Sequence, residues 1–351
     1  MSQKFREILS KCKIDSLNQL ALISGIPIGG TNKQGRIESL INGLNIQKRL
    51  PERNISILSI DIGIKNFSYC QMNDVNVQSD TANIVNNWTK IDLNQIYGSS
   101  YVPIVSSSSM IDSKRYLNYC CQNLVKDITT AKKPDLVIME TQRTRSNNNA
   151  ITIPNVLLNY TFENIFYSNL YNKYPDLLIV PMSSTSMIHF WFNRFVNKKS
   201  LKNLSTAKKS RANLFFHWLE MNKLFTIPGY KVDADLSIPK KSQSLLNHLD
   251  LIKGDKVDDL IDSLFYNLTI KAHVHNQKEL YNLLQQEDAD LNYYIIKHNI
   301  TQLSLVLDII QQFDMELAPE FSRYFDFFGP LINPQDIEYN KIQEFAKISK
   351  M

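Results

Sequence analysis

The chain has 351 residues, 43% of them hydrophobic, and a formal net charge of +5. That length exceeds one minimal core and suits a domain of about 200 to 250 residues with appendages. No window nears the roughly 18 uninterrupted apolar residues of a membrane span, so none is expected, and Cys12, Cys70, Cys120 and Cys121 lack the spacing of a zinc site or disulfide framework.

The opening "MSQKFREILSKCK" is basic and weakly amphipathic, but it carries Glu7 and little serine or arginine, so it reads as a poor mitochondrial presequence. Two apolar faces follow, Leu17, Leu20, Ala21 and Ile23, then Ile37, Leu40, Ile41 and Leu44. They predict two short helices joined by the Gly/Pro turn in "SGIPIGGTNKQGR", a helical module over residues 1–46. "QKRLPERN" supplies a polar linker over 47–54, after which the chain changes to strands.

Strands at 55–61, 66–72 and 84–92 have short connections and predict an antiparallel meander. "SKRYLNYCCQNLVKDITT" is a helix, 135–140 a buried strand, "NVLLNYTFENIFYSNLYNKY" a helix, and 177–182 a buried strand. This order predicts an α/β domain over 55–351: a mixed five-stranded sheet flanked by helices, with further helices at its C-terminal end. "STAKKSRANLFFHWLEMNKL" reads as helix, "TIPGYKVDADLSIPKKSQS" as loop, and "DKVDDLIDSLFYNLTIKAHV" as helix. Between Arg194 and Lys256 stand thirteen Lys/Arg against five Asp/Glu, a basic region suited to phosphates, or a solvated loop. Phe190, Trp191 and Phe192 are candidates for stacking on bases, although an aromatic run is more often core.

Three separated acidic positions share one chemistry. Asp61 ends the first strand, Glu140 ends the fourth, and Asp258, Asp259 and Asp262 open a helix. Carboxyl ends of neighbouring strands form one rim of a crevice, so Asp61 and Glu140 can converge there. Residues three or four apart share a helix face, which lets Asp262 pair with either Asp259 or Asp258. Each has a plain alternative: a turn aspartate, a Glu140 pair with Arg143 or Arg145, and helix-dipole acidity. Together they suit hard divalent cations, Mg²⁺ or Mn²⁺, with two ions about 4 Å apart for phosphodiester hydrolysis.

The blocks "LSIDIGIKNFSYC", "DLVIMETQRTRSN" and "KVDDLIDSLFYNL" resemble the fungal mitochondrial Holliday-junction resolvases, relatives of bacterial RuvC with an RNase H-like fold. The resemblance covers residues 55 to about 272. The segment "LNQLALISGIPIGGTNKQGRIESLINGL" is similar to SAP modules, small helical DNA-binding units, with Asn32 displacing the basic step to Lys33. A homodimeric, divalent-metal-dependent endonuclease that nicks four-way junction DNA symmetrically, in mitochondria, is what the resemblance implies. It assigns the metal-ligand and catalytic roles to Asp61, Glu140, Asp259 and Asp262, with Asp258 as the alternative partner. Gln142, Arg143, Arg145, Lys198, Lys199, Lys202, Lys208, Lys209, Arg211, Lys33 and Arg36 are the candidate DNA contacts. No membrane and no small-molecule substrate are expected.

Two other classes compete. Actin-like ATPases and sugar kinases also begin with Asp-x-Gly at a strand turn, but they need further Gly-rich phosphate loops, and this chain has ten glycines and no such loop after Gly63. A non-catalytic DNA-binding scaffold would use the basic region alone, yet unneutralised carboxylates at its surface would repel phosphate.

Overall fold

The computed structural model describes residues 2–44, 49–79, 81–104, 110–142, 154–202, 204–251, 256–329 and 337–349. Three helices open the chain: α1 (Ser2–Ser10), α2 (Ile14–Ser24) and α3 (Lys33–Leu44). Then come β1 (Ile55–Asp61), β2 (Phe67–Val75), β3 (Asn83–Ile91), α4 (Leu93–Tyr97) and α5 (Met110–Thr130). Next are β4 (Leu136–Glu140), α6 (Pro154–Lys173), β5 (Leu178–Met182), α7 (Ser184–Trp191), α8 (Leu204–Met221) and β6 (Phe225–Thr226). The remaining helices are α9 (Ile238–His248), α10 (Asp258–Gln285), α11 (Leu291–Ser304), α12 (Leu307–Gln312), α13 (Pro319–Phe328) and α14 (Tyr339–Ile348).

The chain divides into two compact units, one comprising Pro51–Ser186 with Leu219–Leu268, the other Met1–Leu50, Met187–Trp218 and Thr269–Met351. The first of these holds the sheet, in the order β5-β4-β1-β2-β3-β6. β1, β2 and β3 form the expected antiparallel meander, while β4 and β5 add in parallel beside β1. The sheet has six strands and not the expected five, because Phe225 and Thr226 pair with Asn83 and Ile84. Two residues carry no alternation to read.

Six of the seven β1 residues are buried, as a run of Ile and Leu between two neighbouring strands requires. Leu58 and Ile60, on one face of β1, join Phe67, Cys121, Leu124, Phe162, Phe166 and Leu170 in a single apolar cluster. Phe162, Phe166 and Leu170 recur every four residues and place α6 on that face. Gly63, just beyond β1, keeps a backbone outside the left-handed region, and an added Cβ there would lie 3.2 Å from the Asn66 carbonyl oxygen. α9 begins at Ile238, inside the stretch that read as loop, with a proline in its first two positions. Proline lacks only an N–H that the first turn leaves unpaired, so it opens this helix instead of breaking it.

The other unit is helical. Phe5, Leu9, Leu17, Leu20, Ile37 and Leu40 of α1–α3 form one core with Leu280 and Leu284 of α10 and with Leu291 and Ile295 of α11. Gly25 ends α2 at φ +63°, and an added Cβ would lie 2.0 Å from Nδ1 of His273. Phe190, Trp191 and Phe192 are buried, so this aromatic run belongs to the core.

Candidate active site

Parallel pairing puts the last residues of β1 and β4 on one edge. Ile60 stands opposite Met139, and Asp61 and Glu140 are the next residue of each strand. Across the meander, Asp61 registers with Ser68 and Ser68 with Lys90. One transverse row therefore reads Glu140, Asp61, Ser68, Lys90.

α10 is tied to this row by side-chain bonds from the sheet. Ser68 Oγ donates to the Asp259 carbonyl at 2.7 Å, and Trp88 Nε1 donates to the Leu260 carbonyl at 2.9 Å. Farther along, buried Asn267 donates from Nδ2 to the carbonyls of Ile57 and Cys70, each at 3.1 Å. These bonds fix the helix rotation, because slipping any of them would strand a buried polar group. Asp259 and Asp262 lie three residues apart on α10 and so share a face.

The electrostatics record the convergence. Asp61 has a pKa raised well above the usual carboxylate range, first by burial, then by a hydrogen bond with Glu140 and the charges of Glu140, Asp262 and Asp259. Like charges this close oppose one another's ionisation, which is the physical cause of the rise at Asp61 beyond that from burial. Asp259 and Asp262 are the aspartates of α10 whose charges raise Asp61; Asp258, the first residue of α10, is not among them.

Gln142 belongs to the same cluster. Its Nε2 donates to Glu140 Oε2 at 2.8 Å and to the Ile62 carbonyl at 3.1 Å, and its backbone N–H donates to Glu163 Oε2 at 2.9 Å. The Gln142 side chain thus bridges the ends of β1 and β4. Glu163 has a raised pKa, chiefly from burial, partly offset by the Gln142 N–H and reinforced by Glu140. Tyr266 is fully buried, and burial with the charges of Glu140, Asp61 and Asp262 pushes its pKa up against a weak opposing hydrogen bond with Ser184, whose geometry falls short of an aligned bond.

Four features of the site escaped the sequence reading: Ser68, Lys90, Glu163 and Tyr266. Lys90 had one signal, since Trp88 and Lys90 alternate on one face of β3, and a lysine at an inward position needs a partner. It stands 3.2 Å from Asp259 Oδ2. Glu163 had no comparable pattern, because α6 mixes apolar and polar residues around its whole circumference.

The other candidate contacts are distributed differently. Lys33 Nζ donates to the Ser10 carbonyl and Arg36 Nη1 to Asn18 Oδ1, both within the helical unit. Lys198 and Lys199 are exposed, and Arg211 is half-buried on α8. Lys208 and Lys209 also lie on α8, and Lys202 ends the short 3₁₀ turn Ser200–Lys202. Arg143 and Arg145 lie outside the described residues.

The donor set of Asp61, Glu140, Asp259 and Asp262 is all hard oxygen, and among the described residues the buried Asp259 Oδ2 has no aligned hydrogen bond. This chemistry fits a divalent cation. Among the described residues no three His, Cys, Asp or Glu side chains stand close enough together to hold a metal ion as they are placed, so the acids must shift to close on one.

A family model described as mitochondrial resolvase Ydc2 / RNA splicing MRS1 matches residues 57–280. The mitochondrial cruciform cutting endonuclease 1 of Saccharomyces cerevisiae is 24% identical over 329 residues, covering 81% of this chain and 89% of its own. Its namesake from Schizosaccharomyces pombe is 25% identical over 229 residues, covering 62% of this chain and 79% of its own. The crystal structure of the yeast mitochondrial Holliday junction resolvase Ydc2 matches with a TM-score of 0.51 at 18% identity, over 78% of this chain and 99% of that one. The sheet order and this likeness identify the fold as RNase H-like.

Proposed function

Because the chain belongs to the family of the mitochondrial resolvase Ydc2 and the RNA splicing protein MRS1, we propose that it is a mitochondrial endonuclease that cuts four-way DNA junctions. The observation that carries this reading is the meeting of three chain-distant carboxylate positions: the charges of Glu140, Asp259 and Asp262 all act on Asp61. A non-catalytic DNA-binding protein has no use for such a cluster.

Asp61, Glu140, Asp262 and Asp259 are the groups that would hold Mg²⁺ or Mn²⁺, as one ion or two. When bound, such cations activate water and stabilise the developing charge on the phosphate. The chain's own residues set the stage for this. Gln142 fixes the Glu140 carboxylate against the end of β1, and Ser68 fixes the first turn of α10, which limits how far the acids must move to close on a cation. Lys198, Lys199, Lys202, Lys208, Lys209, Arg211, Arg143 and Arg145 are assigned to phosphate contacts, which hold the junction arms by shape.

Paired cuts call for a second copy of the chain. We assign the contact to α6, whose core face carries Phe162, Phe166 and Leu170 while Leu157, Tyr160, Tyr167 and Tyr171 stay exposed, Tyr171 at 52%. An apolar stripe of this kind on an exposed helix face is a mark of an interaction surface.

The test is incubation of the purified chain with a synthetic four-way junction and with matched duplex, with and without Mg²⁺. Symmetric nicks confined to the junction support the reading. Tight binding with no cleavage under any divalent metal overturns it in favour of a scaffold.

A further inference from the structure

The row Glu140, Asp61, Ser68, Lys90 ends in a cation. Lys90 is 8% exposed, and its Nζ lies 3.2 Å from Asp259 Oδ2. An ammonium is seldom buried this deeply unless paired, because water solvates it far better than protein does. Among the described residues Asp259 Oδ2 is buried and has no aligned hydrogen bond, so its contact with Lys90 is electrostatic and leaves lone pairs open. The neighbouring Ser68 Oγ pins the Asp259 backbone but does not touch its carboxylate. A lysine in the sheet therefore neutralises one of the acids that the proposed reaction requires for a metal.

We propose that Lys90 is a positioning residue that acts as the resident counter-cation of Asp259, so that a divalent ion must compete with its ammonium for that carboxylate. The inference rests on the reading of the acid cluster as a metal site, and it goes further by assigning the control of metal affinity to one strand residue. Three consequences follow from the charge. The pair holds Asp259 on the side of the acid cluster that faces β3. It limits the affinity of the Asp259 position for metal, since a like charge within a few ångströms opposes a second cation. It also means that metal capture by Asp259 displaces the ammonium from its ion pair.

The experiment is calorimetric titration of the full chain with Mn²⁺, with no DNA present, for wild type, Lys90→Met, Lys90→Arg, Asp259→Asn and the double variant Lys90→Met/Asp259→Asn. Methionine keeps the length of the stem and removes the charge. Lys90→Met is expected to bind Mn²⁺ about tenfold more tightly, the scale of a one-unit effect from a close charge. Lys90→Arg is expected to stay within about threefold of wild type. In the Asp259→Asn background, Lys90→Met is expected to change nothing, because its effect passes through that carboxylate. A merely structural role for Lys90 would weaken metal binding on substitution, not strengthen it. Unchanged or weaker Mn²⁺ affinity in folded Lys90→Met overturns the inference and leaves the nuclease reading standing. Where Lys90→Met does not fold, wild type against Lys90→Gln decides by the same criterion. Absence of Mn²⁺ binding in wild type removes the metal site and this inference with it.

Discussion

At the scale of single residues, Gln142 is the most informative side chain. The resemblance placed it among the DNA contacts, whereas both hydrogen bonds of its side-chain nitrogen are made inside the site, to Glu140 and to the Ile62 carbonyl. Gln142→Ala is expected to keep junction affinity within about twofold and to lower the cleavage rate about ten- to hundredfold, as loss of an orienting partner does. Binding and single-turnover assays on the same junction separate the two effects. Asp61→Asn is expected to abolish incision while junction binding persists; wild-type incision by that variant would remove Asp61 from the site. Asp61 and Glu140 were legible in the sequence because a carboxylate closing a greasy strand is conspicuous. Lys90 and Glu163 were not, because each acquires its meaning only from a partner on another element. Gly25 shows the same limit. Its left-handed backbone suits glycine, but the clash that forbids a side chain is with His273, nearly 250 positions away. Gly25→Ala adds about 1 kcal/mol of backbone strain to an overpacking cost of about 1–3 kcal/mol, which urea unfolding would register.

At the scale of elements, α10 does two kinds of work. Its first turns present Asp259 and Asp262, and its later turns pack on α11. On that later stretch Glu279 accepts from Lys297 Nζ at 2.8 Å and meets His298 Nε2 at 3.0 Å. Burial would raise the Glu279 carboxyl, but the bonds and charges of His298 and Lys297 outweigh it and hold the pKa at about 2. His273 is driven down to about 3, first by burial and then by Arg194. In the unfolded chain both groups bind protons at higher pH than they do when folded. Stability is therefore expected to decline as pH falls below about 6.5 through His273, and again below about 4.5 through Glu279. Thermal melts at pH 7.5, 5.5 and 4 would check this; a melting temperature that is flat or rises on acidification contradicts it. The boundaries of β1 could be read from the sequence to the residue, since a run of Ile and Leu stops on Asp61. The start of α9 could not, because Pro239 signals a break as readily as a helix start.

On the scale of the whole molecule, the order of the sheet is the part that sequence alone leaves implicit. Short connections foretold the meander, yet only the parallel docking of β4 beside β1 brings Glu140 to Asp61. Two further expectations belong here. Charge reversal of Lys208 and Lys209 on α8 should weaken junction binding and flatten its salt dependence, since each lost phosphate contact removes about one unit from the slope. Tyr167→Lys with Tyr171→Glu, on the exposed side of α6, should shift a dimer to a monomer by light scattering and convert paired nicks to single ones. A variant that remains dimeric would place the contact elsewhere.

The acid pair at the sheet edge spans two strands far apart in sequence, and the α10 acids come later still. No stretch of chain that ends before Asp262 can contain the full carboxylate set. On the proposed reading, a chain truncated anywhere before Asp262 is expected to leave four-way junction DNA uncut, however well its sheet folds.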